Sequence, residues 1–532
     1  MFSTMKIQRI FLIGSLLSYL TFPTFSQDNA INSINENDLK VHLSFIASNQ
    51  LKGRKLGSIE LEMAKEYIVS NLVKTKIEPV NIYNSYLQSI NFMRVEPDSE
   101  NTFINIINNE LKESKVTHDS MLCLFPHPKD FFYNGSVIFI GYGITDSING
   151  YDDYANIDVR GKVVMMLSRS IGLVEGENAN NPEPFNYELE YEKITNAYNH
   201  GAKAVLWIQD PMNKFKNISD LKELNEYAIQ QIYTEGNPKT VLPIDFIILT
   251  QHTADSILNT SGNYLVDLQN KINTNKKPSS FELDKTNIAI QINRKIEDFK
   301  SSNIIGYIEG CDPILKNEYI IYTAHYDHLG VDENGNIYNG ADDNGSGTVA
   351  LLELAEAFMT LQVKPKRSIV FAWMTAEEKG GAGSNYYVEH PLFPLKNTVT
   401  CINIDMIGRV KTAQPENKRW IDVKSADSLF VITDRRSAEL IDINNEACNN
   451  LKLYPDYSDK QNRLEFSDQY FFYKKGIPVL FYHTGFHEDT HTIADKFEKI
   501  DFVKMKRVTQ LAFLVGYNIA NNAKLPQIDF SK

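Results

Sequence analysis

Tyr319-Ile320-Ile321-Tyr322-Thr323-Ala324-His325-Tyr326-Asp327 carries an apolar, β-rich run directly into a histidine and an acid. The run is too short and too continuously apolar for an exposed helix, and it reads as a strand buried on both faces. Residues 348–361 follow with Val349, Leu352, Ala355 and Met359 at helical spacing. Ser368-Ile369-Val370-Phe371-Ala372-Trp373-Met374 is the next strand, and 399–404 and 429–433 are two more. A helix over 438–449, a strand over 477–482 and a last helix over about 502–519 complete the pattern. Strand–helix alternation of this kind predicts an α/β fold with a mixed, mostly parallel sheet sandwiched by helices. Ligands in such folds bind beyond the carboxyl ends of the strands.

Those ends are where the chemistry-bearing residues fall. His325 closes the first strand. Gly340-Ala341-Asp342-Asp343-Asn344-Gly345-Ser346-Gly347 is an acidic loop, bounded by glycines, that opens into the first helix. Glu377-Glu378 follows Met374, Asp405 follows Ile404, and His491 lies beyond the strand ending at Tyr482. All are oxygen or imidazole donors, as a site for hard or borderline divalent cations requires. Asp327, two residues after His325, is placed to accept the second ring N–H of a metal-bound imidazole. His328 reads as structural. One acid of the Glu377-Glu378 pair can ligate a cation while the other addresses a water.

The chain has 532 residues, more than one ordinary core, so at least two domains are expected. Its 42% hydrophobic and 23% charged content is that of a folded protein. A net charge of -13 without a basic patch disfavours nucleic acid as a partner. Lys6 and Arg9, the apolar run from Ile10 to Leu20 and Thr24-Phe25-Ser26 have the form of a cleavable export signal over residues 1–26. That predicts a periplasmic or secreted protein without stable membrane insertion. The four cysteines, Cys123, Cys311, Cys401 and Cys448, follow no zinc-ligand spacing. The remaining divisions are 36–100 and 286–525 for the main domain and 101–285 for a β-rich insert.

His325-Tyr326-Asp327, Asp343-Asn344-Gly345-Ser346-Gly347, Ala376-Glu377-Glu378, Asn403-Ile404-Asp405-Met406 and His491 together resemble the consecutive motifs of the M28 family of di-zinc aminopeptidases. The similarity extends to the leading segment around Gly53-Arg54. In the insert, Gly141-Tyr142-Gly143, Tyr151-Asp152-Asp153-Tyr154, Gly161-Lys162 and Gly201-Ala202-Lys203-Ala204 resemble a protease-associated (PA) domain. The resemblance implies two divalent metal ions, zinc by donor type, bridged by Asp343, with a cis peptide to Asn344. His325 and Asp405 would complete one site, and Glu378 and His491 the other. Glu377 would be the general base and Asp327 would orient His325.

The implied reaction is removal of N-terminal residues from peptides by a metal-activated water. A dipeptidase or a carboxypeptidase acting on acidic C-termini is the alternative on the same fold, and a receptor-like binding protein a further one. Arg463 is the candidate to hold a terminal carboxylate. Two departures from the family pattern stand beside the ligands: Thr490 where many relatives have Tyr, and Gln469 in place of the His of a Ser-Asp-His segment. Tyr482 is the candidate to replace the missing oxyanion hydroxyl.

Overall fold

The computed structural model describes residues 27–80, 84–108, 113–117, 120–171, 187–209, 211, 230–234, 242–411, 421–433 and 437–522. The signal-like segment 1–26 lies outside them. The chain divides into two compact units, Met1–Asn91 with Lys300–Lys532, and Phe92–Phe299. The sequence places the boundaries at 100/101 and 285/286 instead. Both crossings fall inside long strands, Leu87–Pro97 and Arg294–Ile308, where no change of composition marks them.

In the first unit the helices are α1 (Glu36–Ile46), α2 (Ile59–Thr75), α3 (Gly347–Met359), α4 (Ala382–Glu389), α5 (Ala438–Leu451), α6 (Gln469–Lys474) and α7 (Phe502–Asn521). The strands are β1 (Arg294–Ile308), β2 (Tyr319–His325), β3 (Ser368–Met374), β4 (Thr398–Ile404), β5 (Ser428–Ile432), β6 (Tyr454–Asp456) and β7 (Val479–His483). These seven are consecutive in a longer sheet, in the order β1-β3-β2-β4-β7-β5-β6. The central four, β3-β2-β4-β7, are parallel, while β1 and β5 join antiparallel to β3 and β7. The carboxyl ends of four neighbouring strands therefore share one edge of the sheet.

Every residue of β3 and β4 is buried, which explains why both are rich in apolar residues. Alternate residues face opposite layers. Ile321, Val370 and Cys401 pack with Tyr387 of α4 and Phe472 of α6. Tyr322 and Phe371 stack in parallel planes and meet Phe358 of α3, which in turn contacts Phe513 of α7. Ser58, Asn35 and Asp501 cap their helices, accepting backbone N–H groups at the starts of α2, α1 and α7. The four cysteines are free thiols, three of them buried.

The second unit is built on an eight-stranded sheet, with buried side chains on both of its faces. The Asp153 carboxylate accepts the amides of Tyr142 and Ile144 and the Tyr151 hydroxyl, so it organises the Gly141-Tyr142-Gly143 turn. No helix among the described residues is long and apolar enough to cross a membrane.

Ile321 is fully buried in the middle of β2. Ile321→Ala removes three carbons from a site that cannot collapse, and a loss of about 2–5 kcal/mol is expected. A denaturant titration of the folded chain reads it.

Candidate metal centre

The loop between β2 and α3 is shaped by what surrounds it. At Gly340 (φ +58°) a Cβ would lie 2.2 Å from the Asp343 carbonyl oxygen and 2.4 Å from the His328 ring, so only glycine fits. The Asp343–Asn344 peptide is cis. The Asn344 side chain donates to the Ile404 carbonyl at 2.9 Å and accepts the Gly347 amide at 2.9 Å, tying the loop to the end of β4. Asp495 accepts the backbone amides of both Asp342 and Asp343 at 3.0 Å. Asp342 turns away, accepting from Gly408 at 2.6 Å and lying 3.2 Å from His487. Asp343 is left facing the cavity.

The expected ligands converge there. His325 Nε2 is 3.4 Å from Asp343 Oδ1 and 3.4 Å from Asp405 Oδ2. His491 Nε2 is 3.0 Å from Asp343 Oδ2 and 3.4 Å from Glu378 Oε2. Asp343 thus presents one oxygen to each half of the site. Glu377 Oε2 lies 3.8 Å from His325 Nε2, beside the first half.

These spacings fit a metal better than a hydrogen-bond network. His325 Nε2 and Asp405 Oδ1 are buried without a hydrogen-bond partner. Two donor atoms about 2.0 Å from a tetrahedral zinc stand about 3.3 Å apart, and three of the four ligand contacts are 3.4 Å. The electrostatics agree. Glu378, with Asp343 assisting, raises His491 to about 10, so the site already draws positive charge. Burial, reinforced by neighbouring Glu378, pushes Glu377 well above the usual carboxylate range.

Two expectations need correction. The Asp327 carboxylate does not hold His325: it is 3.8 Å from Nδ1, whose hydrogen-bonding neighbour is the Asp327 backbone carbonyl at 3.2 Å. The carboxylate instead accepts the amides of Glu377 and Glu378 at 3.1 and 3.4 Å, because that turn leaves two N–H groups without helical partners. His328, read as structural, is drawn into the centre. Its Nδ1 is 2.7 Å from Glu378 Oε1, and His328, Asp343 and Glu378 form a second possible metal group beside His325, Asp343 and Asp405.

The structure does not bring Tyr482 or Arg463 to the ligands. The Tyr482 hydroxyl is fully buried and donates to Asn444 of α5 at 2.8 Å. Arg463 is buried too, bonded to Asp422 and lying over the rings of Phe430 and Phe486. Thr490 caps its own turn, its hydroxyl accepting the His487 amide at 3.2 Å. Gln469 has a structural task. Its amide donates to the carbonyls of Arg463, Leu464 and Phe466 and accepts from Asn403 at 2.7 Å, fastening that loop to β4 two residues before Asp405.

Sequence reasoning missed Asp495, Asp468 and the part played by Arg54. Asp468 is fully buried, with one oxygen taken by Ser384 and the other unpartnered, and burial raises it to about 7. Arg54 is fully buried and donates to the carbonyls of Tyr326, Ile46, Asn339 and Gly340. It joins the leading segment to both the His325 turn and the Asp343 loop. Burial lowers it to about 10, opposed by Asp327, Asp343, Asp495 and Glu378. The only signal for it is the Gly-Arg pair itself, since Gly53 has no room for a Cβ.

Parallel strands ending in a shared set of buried carboxylates and imidazoles define a metallohydrolase-type centre. Residues 303–515 match the family model of Peptidase family M28, and this stretch is an M28 peptidase domain. Among curated proteins, the aminopeptidase NAALADL1 of Rattus norvegicus is 36% identical over 124 residues, 22% of this chain and 15% of the relative. Aminopeptidase YwaD of Bacillus subtilis (strain 168) is 33% identical over 140 residues, 26% of this chain and 28% of the relative. The matched stretches thus span less than a third of either relative. The fold is similar to that of an aminopeptidase from Aneurinibacillus sp. strain AM-1, with a TM-score of 0.56 and 18% identity over 94% of this chain and 98% of that one.

Arg54→Met would leave four carbonyls without their donor. A loss of about 3 kcal/mol or more is expected from the missing charged hydrogen bonds, and denaturant unfolding of the variant measures it.

Proposed function

We propose that this chain is a metal-dependent aminopeptidase that hydrolyses the N-terminal peptide bond of its substrates. The observation that carries the reading is Asp343, whose two oxygens face two separate His-and-carboxylate groups. When bound there, two divalent cations, zinc by the donor set, acidify a water and polarise the scissile carbonyl. His325 and Asp405 would hold one, Glu378 and His491 the other, with Asp343 between. Glu377 stands at the first half, placed to take the proton of the attacking water and hand it to the leaving amine. Asp327 holds the Glu377-Glu378 turn through its two amides and so fixes the base relative to the ligand beside it.

The excess of carboxylates favours a substrate with a free α-ammonium group. Arg463 is committed to Asp422, which removes the cation that motivated a carboxypeptidase reading. The reading includes export through residues 1–26 and a protease-associated character for the Phe92–Phe299 unit, the latter supported by the turn that Asp153 organises.

Elemental analysis of the purified protein should find close to two divalent ions per chain, removable by chelator together with activity. A metal-free protein with full activity would end the proposal. Glu377→Gln should keep both ions and lose about 100-fold or more in turnover; unchanged turnover would remove Glu377 as the base. A panel of aminoacyl amides, N-blocked peptides and dipeptides fixes the polarity. Cleavage of blocked peptides from their C-terminus would replace the aminopeptidase reading with the carboxypeptidase one.

A further inference from the structure

Glu378 has two carboxylate oxygens, and the structure gives them different neighbours. Oε2 is 3.4 Å from His491 Nε2, on the side of Asp343. Oε1 is 2.7 Å from His328 Nδ1. The second distance is a hydrogen bond, too short for two atoms that share a zinc, which stand about 3.3 Å apart. His328 is also locked in place. Its side chain is fully buried, its amide donates to the Arg54 carbonyl at 3.2 Å, and its ring fills the space that a Cβ on Gly340 would need. Its Nε2 is buried without a partner. A buried N–H without an acceptor is rarer than an unfilled lone pair, so the proton belongs on Nδ1, pointing at Glu378.

We infer that His328 is a positioning residue for the metal centre: its Nδ1–H occupies Glu378 Oε1 and restricts Glu378 to binding a cation through Oε2 alone. The inference rests on the metal-centre reading above. Without that hydrogen bond the carboxylate is free to rotate and to chelate with both oxygens, changing the coordination number and the hold on that one ion. His328 touches neither substrate nor the attacking water in this role. Partners of this kind tune affinity by about 10- to 100-fold when removed.

An amide pair tests it. The side-chain nitrogen of Asn falls where His Nδ1 is, whereas that of Gln falls nearer Nε2. His328→Asn should therefore keep the donor to Glu378 and His328→Gln should lose it, although both variants are neutral and polar. The full chain would be loaded with zinc, and the affinity of each ion read by competition with a chromophoric chelator. The cobalt-loaded forms would report coordination number through their visible spectra.

The expected result is two ions in the wild type, near-wild-type affinity in His328→Asn, and about 10-fold or greater weakening of one ion, with a changed cobalt spectrum, in His328→Gln. Equal affinities and spectra in all three would overturn the inference. So would loss of an ion in His328→Asn, which would make His328 a direct ligand; that variant decides the matter alone should His328→Gln not fold. A wild type that binds no divalent ion would overturn the metal-centre reading itself. Two tightly held ions in the wild type and in His328→Gln would overturn only the role of His328.

Discussion

The placement of Asp343 is the constraint on which the centre depends. A carboxylate can face two cation positions only if its backbone is held from outside the site, since its own oxygens are committed. Here the holding is done by neighbours that bind no metal in the proposed scheme. Asp495 takes the amides of Asp342 and Asp343, Asn344 grips the end of β4, and Arg54 gathers the carbonyl of Gly340 with that of Tyr326. Asp495, the Ile404 carbonyl that Asn344 reaches, and Arg54 all lie far from the loop in sequence, so the loop acquires its shape only once the sheet and the leading segment have assembled.

Charge gives the second constraint. Asp327, Asp343, Glu377, Glu378, Asp405 and Asp468 are collected around the carboxyl ends of parallel strands. The fully buried cation near them, Arg54, spends its donors on carbonyls. Gathering acids this way costs stability, because each must lose water beside like charges. Burial raises Asp468 and Asp327, to about 7 and about 6, in keeping with that cost. Divalent cations at the proposed centre would offset it, and metal binding would then be coupled to folding of this edge of the sheet.

Much of this was legible in the chain itself. Strands β2, β3, β4 and β7 announce themselves because both faces are covered, and their ends mark where the donors sit. The acidic loop is legible through its glycines; within it Asp343 faces His325 and His491, while Asp342 accepts from Gly408. What could not be read depends on approach across space. Adjacent spacing suggested that Asp327 holds His325, yet the stronger demand came from two unpaired amides of a turn fifty residues on. Tyr482 sits in a core strand where nothing local reveals that Asn444 will claim its hydroxyl. The division between the two compact units, at 91/92 and 299/300, differs from the sequence bounds because it passes through continuous strands.

Gln469, where the sequence resemblance implies a His, has a role of its own in this structure. The position needs a group that donates to several carbonyls at the end of one loop and accepts from Asn403 on β4. An amide supplies both functions without depending on protonation, since its oxygen always accepts and its nitrogen always donates. Asn403 in turn accepts from Thr323 of β2 at 2.7 Å, so the chain Thr323–Asn403–Gln469 links two central strands to the loop before α6. His325 and Asp405 each stand two residues beyond a member of that chain. The geometry of the first metal group is therefore set partly by a row of neutral side chains, which hold it equally at any pH at which the acids ionise.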